Sequence, residues 1–496
     1  MRSPTPPCRA RLRGLLPALA LAAGLAHATP APAAPARIAF SPCRLEHEGL
    51  GSVAARCGRL SVPENPLEPR GRQISLSVAL IPALDARSHK APLFIVAGGP
   101  GQAASDFYIG FANAFAPSAR AHDIVLLDQR GTGGSNRLSC EFPDDFDVVA
   151  PPPAVIRELS AKCRTGLAGR PEYYTTSVAV QDLEAVRLAM RYERIALYGV
   201  SYGTRVVQHY LRRYPTRAAA VVLDGVMQPD RPLGPETPRD AERALGLMFK
   251  RCAADLHCAE TFPALEARFR ALLAALDRKP QSVSVPDPST AEPRTVTFDR
   301  EQFTGAIRLM NYYSATTALL PFLIDRATRG DFAPLAADLL ILSSRLDEQL
   351  AYGMNVAVSC SEDVPAYAGV DRAALAGTYL GAEQLDELAT LCEGWPHGVV
   401  DADFFKPLHS AVPALLLSGE ADPVTPPASA ARAAQGFSDV LSVVVAGQGH
   451  GQVMVGCAPQ LLAQFLDLGT TRGLDAHCLD AVGPDPFVLG PNGPAP

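Results

Sequence analysis

The chain has 496 residues, 48% hydrophobic and 19% charged, and 45 basic against 51 acidic side chains give a formal charge of −6. That apolar content suits a large buried core and excludes a disordered chain. The mild acidity, with no basic stripe, excludes nucleic acid or an acidic membrane surface as a partner.

Arg2, Arg9, Arg11 and Arg13 precede an apolar run from Leu15 to Ala26 and the small-x-small end Ala26-His27-Ala28. This pattern predicts a secretory signal over residues 1–28, cut after Ala28, and a periplasmic or secreted protein. The run is too short to cross a bilayer comfortably and no later one is longer, so no stable membrane span is expected after cleavage. Thr29–Ala36 reads as a Pro/Ala tether. Of 11 cysteines, Cys8 falls in the signal, and the remaining even number suits a compartment that permits disulfides. Spacing does not fix connectivity; the economical pairing joins sequence neighbours: Cys43–Cys57, Cys140–Cys163, Cys252–Cys258, Cys360–Cys392 and Cys457–Cys478. Neither Cys-x-x-Cys nor His-Glu-x-x-His occurs, so no metal is expected.

Along the chain, Gly58–Val62 and Ile74–Ile81 alternate as antiparallel strands do. Pro92–Ala97, Asp123–Asp128, Arg194–Gly199 and Ala219–Asp224 are nearly continuous apolar runs, the texture of strands buried on both faces of a parallel sheet. Helical patterns at Val180–Tyr192 and Tyr202–Tyr214 lie between them, so the class is α/β. From 228 to 410 helical periodicity dominates: Arg239–Ala254, Ala264–Arg278, Arg300–Asn311, Ala315–Arg329 and Leu335–Leu350. A polar, Pro-rich interruption at Pro280–Pro293 leads into Arg294–Phe298, one side of a small hairpin. Strands return at Ala414–Ser418 and Leu441–Ala446, then a helix near Pro459–Leu468. The predicted organisation is a sheet domain over 37–227 and 411–482, interrupted by a helical insertion over 228–410 and followed by a Pro/Gly-rich tail, 483–496.

The central motif is Gly199-Val200-Ser201-Tyr202-Gly203, between the strand Ile195–Tyr198 and a helix. That strand–turn–helix setting is what a nucleophile elbow requires. A serine hydroxyl needs a base. His450, in the loop Gly447–Gly451 past a strand end, can reach over the sheet's C-terminal edge; His209 points along its helix instead. Asp422, in the loop after Ala414–Ser418, completes the chain order Ser201…Asp422…His450, with Glu420 and Asp224 as rivals for the acid. Gly98-Gly99-Pro100-Gly101 and the helix start at Tyr202 can present N–H groups to an oxyanion, Gly99 and Tyr202 being the candidates. Asp128 and Arg130, in Asp128-Gln129-Arg130-Gly131, read as a loop-fixing ion pair.

Together these motifs resemble the α/β-hydrolase exopeptidases of the proline iminopeptidase and secreted tripeptidyl aminopeptidase family, and the elbow, signal and insertion look more like the tripeptidyl aminopeptidase branch. The first position of the usual His-Gly-Gly-Pro-Gly is here Ala97. The resemblance implies an α/β-hydrolase fold, a mostly parallel sheet flanked by helices with the insertion as a cap that admits chain ends. It also implies an exported serine exopeptidase that takes peptides with a free N-terminus and releases short N-terminal units, with no cofactor. An α-ammonium then needs buried acids; Glu362 and Asp363 are the local candidates, with Tyr312 and Tyr313 for an apolar subsite or simply a helix core. A carboxylesterase or lipase would use the same triad, and a non-catalytic binder could keep the scaffold.

Overall fold

The computed structural model describes residues 37–47, 49–141, 151–288 and 290–494. The expected signal and tether lie outside the described residues. The strands before the tail are β1 (Ser41–His47), β2 (Gly51–Pro63), β3 (Gln73–Ile81), β4 (Leu93–Val96), β5 (Ile124–Leu127), β6 (Ile195–Val200), β7 (Ala218–Asp224), β8 (Gln281–Pro286), β9 (Pro293–Phe298), β10 (Ala414–Gly419) and β11 (Val440–Val445). Nine of them form one sheet in the order β1-β2-β3-β5-β4-β6-β7-β10-β11. Pairing is antiparallel from β1 through β5 by way of β2 and β3, then parallel from β5 to β11.

Strands β4, β5, β6 and β10 are buried along their whole length, which is why their sequences are unbroken apolar runs. Successive side chains still alternate between faces. Phe94, Val96, Val125, Leu197, Val221 and Leu416 share one core with the helices Thr176–Met190 and Tyr202–Arg213. Leu93, Ile95, Leu126, Tyr198, Val222 and Leu417 face the other, under the helices Ala104–Phe115 and Ala458–Leu468. Each fully buried Val, Leu or Ile contributes roughly 1.5–3 kcal/mol, so the two cores fix which strand ends lie side by side.

The insertion has a core of its own, built on Leu245, Phe249, Phe269, Phe298, Phe303 and Phe332, with Phe298 stacked on Phe332 at 5.4 Å. Within the stretch expected as a polar interruption, β8 pairs antiparallel with β9, Val283 and Val285 turning inward and the serines outward. The predicted helix Ala315–Arg329 is two, Ser314–Thr317 and Leu320–Thr328, the second with Pro321 in its first turn, where a missing N–H costs nothing. Residues Ala351, Met354, Val358, Cys360, Trp395 and Leu408 belong to the sheet's core. The latter part of the insertion is therefore packed on the sheet domain.

The tail packs too. Phe487 joins the insertion's core beneath the Arg251 guanidinium at 3.9 Å, and the N–H groups of Asp485 and Val488 donate to Ser314 Oγ and the Ala318 carbonyl. Five disulfides join sequence neighbours: Cys43–Cys57, Cys140–Cys163, Cys252–Cys258, Cys360–Cys392 and Cys457–Cys478. The expected Asp128–Arg130 pair is not formed. Arg130 instead reaches Asp182 with two bonds of 2.6 and 2.7 Å, and Asp128 accepts the N–H groups of Ser105 and Gly134. The strand ends at Leu127 and the chain turns, the Thr132 N–H bonding the Gln129 carbonyl at 2.9 Å, and the two side chains take separate partners. Among the described residues no helix is long and apolar enough to cross a membrane, and no group of three or more His, Cys, Asp or Glu is placed to hold a metal ion.

Candidate active site

The parallel strands β4, β6, β7, β10 and β11 end on one edge, and every candidate loop leaves from there. Ser201 follows β6 with φ 55° and ψ −123°, outside the regions that L-residues favour. Such strain persists only where the surroundings enforce it. Here the Ser201 N–H donates to the Asp224 carbonyl at 2.8 Å, and the helix Tyr202–Arg213 starts immediately after it. A β-carbon at Gly203 would fall 2.3 Å from the Val96 carbonyl oxygen, so glycine is required for the helix to begin this close to β4.

The loop after β4 lies beside the elbow. A β-carbon built on Gly98 would sit 3.1 Å from Ser201 Cβ and 3.7 Å from its Oγ. Neither the Gly99 nor the Tyr202 N–H donates to a protein acceptor among the described residues. Tyr202's side chain is fixed below: its Oη pairs with Thr176 Oγ1 at 2.7 Å and accepts from Gln129 Nε2 at 3.0 Å. The insertion holds the same loop from the other side. Asn355 Nδ2 donates to the Pro100 carbonyl at 2.9 Å, the Ala351 N–H to the Gly101 carbonyl at 3.0 Å, and Gln102 Nε2 to Gln349 Oε1 at 3.0 Å.

Beyond β10, Asp422 is fully buried. Its Oδ1 accepts the N–H groups of Val424 and Thr425, both at 2.8 Å, the Asx turn that Asp-Pro-x-Thr favours. Its Oδ2 accepts from Thr425 Oγ1 and from His450 Nδ1, each at 2.7 Å. Burial works against the carboxylate, but the His450 charge and these donors hold its pKa below the usual range. For His450 burial again opposes charge, and the Asp422 carboxylate outweighs it, raising the imidazole above its usual range. His450's N–H donates to the Tyr312 carbonyl at 2.6 Å, with the two rings edge to face at 5.4 Å. Tyr313, next to it, is 53% exposed.

The rivals have other partners. Glu420 accepts the Gly447 N–H at 2.9 Å, and Asp224 binds the chain just past His450. His209 pairs with Asp401 at 2.8 Å. Glu362 and Asp363 lie in the interior beneath the helix that follows Ser201. Glu362 accepts from the Thr176 N–H (2.6 Å), Thr176 Oγ1 (3.0 Å) and Arg205 (3.3 Å). Asp363 takes both Arg205 nitrogens, at 3.1 and 2.8 Å, and the Leu233 N–H at 2.7 Å. Burial pushes the Glu362 carboxyl up to about 7 although Arg205 pulls against it. Of the supporting residues, Thr425 was within reach of sequence, two residues after the Pro that follows Asp422. Asn355 and the Tyr312 carbonyl carry no local signal.

A family model described as the alpha/beta hydrolase fold matches residues 91–456, and the chain belongs to that family. It is a serine hydrolase of the α/β type. Among relatives, the serine protease Hip1 of Mycobacterium tuberculosis is 24% identical over 89% of this chain and 91% of its own length. The tripeptidyl aminopeptidase of Streptomyces lividans is 30% identical, matched over 36% of each chain. Carboxylesterase B of Mycobacterium tuberculosis is 31% identical, over 35% of this chain and 36% of its own. The match thus spans about a third of the length of the aminopeptidase and the esterase. A solved proline iminopeptidase from Mycobacterium smegmatis superposes over 83% of this chain and 98% of its own, with TM-score 0.39 and 17% identity.

Proposed function

We propose that the protein is an exported serine exopeptidase that releases short N-terminal units from peptides through an acyl-enzyme on Ser201. The observation that carries this reading is the 2.7 Å bond from His450 Nδ1 to the Asp422 carboxylate, in loops that leave the same sheet edge as the strained Ser201 at its helix start. With Nδ1 engaged by a carboxylate, Nε2 is the nitrogen that serves as base. His450 takes the Ser201 proton as Oγ attacks the scissile carbonyl. The Gly99 and Tyr202 N–H groups receive the oxyanion, and the helix start adds favourable potential. His450 then gives the proton to the leaving amine, and water repeats the sequence on the acyl-enzyme.

Peptidase activity is favoured by the similarity to Hip1 along nearly the whole chain, and export by five disulfides. The insertion acts as the cap, with Tyr313 exposed next to the Tyr312 that meets His450. Glu362 and Asp363 are buried and already engaged by Arg205, Thr176 and the Leu233 N–H, so their part is to hold the helix after Ser201 rather than to contact an α-ammonium directly. Carboxylesterase B makes an esterase the second reading. Labelling by a fluorophosphonate should occur in the wild type and vanish in Ser201→Ala. A free-amine peptide anilide should be cleaved, its N-acetylated form spared, and mass spectrometry of one unblocked peptide should find its N-terminal fragment. Equal turnover of blocked and free peptides, or turnover of nitrophenyl esters alone, would remove the exopeptidase reading.

A further inference from the structure

Asp224 ends β7, between the strands that carry Ser201 and Asp422, and is fully buried. Its main-chain carbonyl accepts the Ser201 N–H at 2.8 Å. Its carboxylate faces the opposite way. Oδ1 accepts the Gln452 N–H at 2.7 Å; Oδ2 accepts the same group at 2.9 Å, the Val453 N–H at 2.9 Å and the Tyr198 hydroxyl at 2.8 Å. Gln452 in turn closes the turn around the imidazole, its Nε2 donating to the Gly449 carbonyl at 2.7 Å. The next residue, Gly225, has φ +63°, and a β-carbon there would lie 2.9 Å from His450 Cε1. One residue therefore holds the nucleophile by its backbone and the base's loop by its side chain.

We propose that Asp224 is a positioning residue that sets the spacing between Ser201 and His450 by gripping both loops at once. This rests on the reading of Ser201 and His450 as nucleophile and base. A carboxylate suits the task because it accepts several N–H and O–H groups and donates none. A neutral acid or amide would turn a donor toward a donor. The groups facing Asp224 are Tyr198 from β6 and the Gln452–Val453 amides and His450 from the loop after β11. Burial pushes its carboxyl up to about 6, while the Tyr198 hydroxyl, the Gln452 N–H, His450 and the Val453 N–H pull it down. Acidification through that range protonates the carboxyl and loosens the grip.

The experiment measures steady-state kinetics, fluorophosphonate labelling rate and melting temperature of wild type and Asp224→Asn against pH. The variant should lose about 10- to 100-fold in kcat and in labelling rate, the scale of a misplacement near 1 Å, with KM within about twofold and a melting temperature lowered but well above the assay temperature. Should the Asn variant not fold, Tyr198→Phe removes the phenolic donor but neither backbone grip. The Asp224 carboxyl then rises further, and the second, steeper fall of the labelling rate below the His450 limb begins at higher pH. Labelling and kcat within about threefold of wild type in Asp224→Asn, or an unmoved onset of that steeper fall in Tyr198→Phe, would overturn the proposal. Labelling does not depend on the choice of substrate; a wild type that resists it defeats the serine-hydrolase mechanism, a separate outcome.

Discussion

The sheet and the insertion reach the same site by different routes. The sheet delivers Ser201, Asp422 and His450 as side chains on loops that follow its own strands, and its cores fix those strand ends. The insertion, with a separate aromatic core, meets the site through main-chain groups and through side chains that hold the site's loops: the Tyr312 carbonyl on His450, Ala351 on Gly101, Asn355 on Pro100, Gln349 on Gln102, and Arg243 on the Glu420 and Asp422 carbonyls. Chemistry is concentrated in one region and registration supplied by the other. On this view, damage to the sheet's loops abolishes turnover, and damage to the insertion's contacts degrades it without unfolding the protein.

The sharpest break is His450→Ala, expected to lower kcat on the order of 10^6-fold in a peptide anilide assay, as loss of a base does elsewhere. Asp422→Asn should follow at about 10^4-fold, because the amide favours the wrong tautomer of His450. Arg205→Met moves the test to the junction of the regions. It strips the Arg205 guanidinium from Glu362 and Asp363 and should destabilise by about 3–5 kcal/mol in denaturant titration at neutral pH. The sign of its pH dependence is set by the acids. Glu362 already sits at about 7 in the folded protein, above its ordinary value, and without Arg205 it rises further. The folded state then binds more protons than the unfolded one, so lost stability returns as the pH falls toward the ordinary carboxyl range.

Asn355→Ala probes the insertion's share directly. Releasing the Pro100 carbonyl should lower kcat about 10- to 100-fold, less than deleting an oxyanion donor outright, with the melting temperature nearly unchanged. A drop in melting temperature in step with kcat would erase the distinction between the regions. The smallest effect is a displacement along the pH axis. His450 must be neutral to accept a proton, and burial, opposed and outweighed by Asp422, leaves it above the usual imidazole range. Accordingly kcat/KM should fall as the pH drops through a limb above that range, and Asp422→Asn should shift the limb downward.

The same contrast explains what could be read from residues alone. Strands β4 to β7 and β10 are visible because burial on both faces leaves no polar positions, and the elbow because a close turn demands small residues at fixed offsets. Edge strand β1 and the β8 side of the hairpin are half-solvated, so Ser and charged residues masked them. Arg130 could not be matched with Asp182 since the pair spans two elements, 52 residues apart. A carbonyl such as that of Tyr312 leaves no trace in residue identity at all.

Cys360, bridged to Cys392, stands immediately before Ser361-Glu362-Asp363, whose carboxylates grip the helix that begins after Ser201. A thiol-reducing host would deliver this protein with the grip untethered. Recombinant material made in a bacterial cytosol should therefore have weaker specific activity than the same chain matured under oxidation, and a Cys360→Ser, Cys392→Ser variant matured under oxidation should reproduce part of that loss.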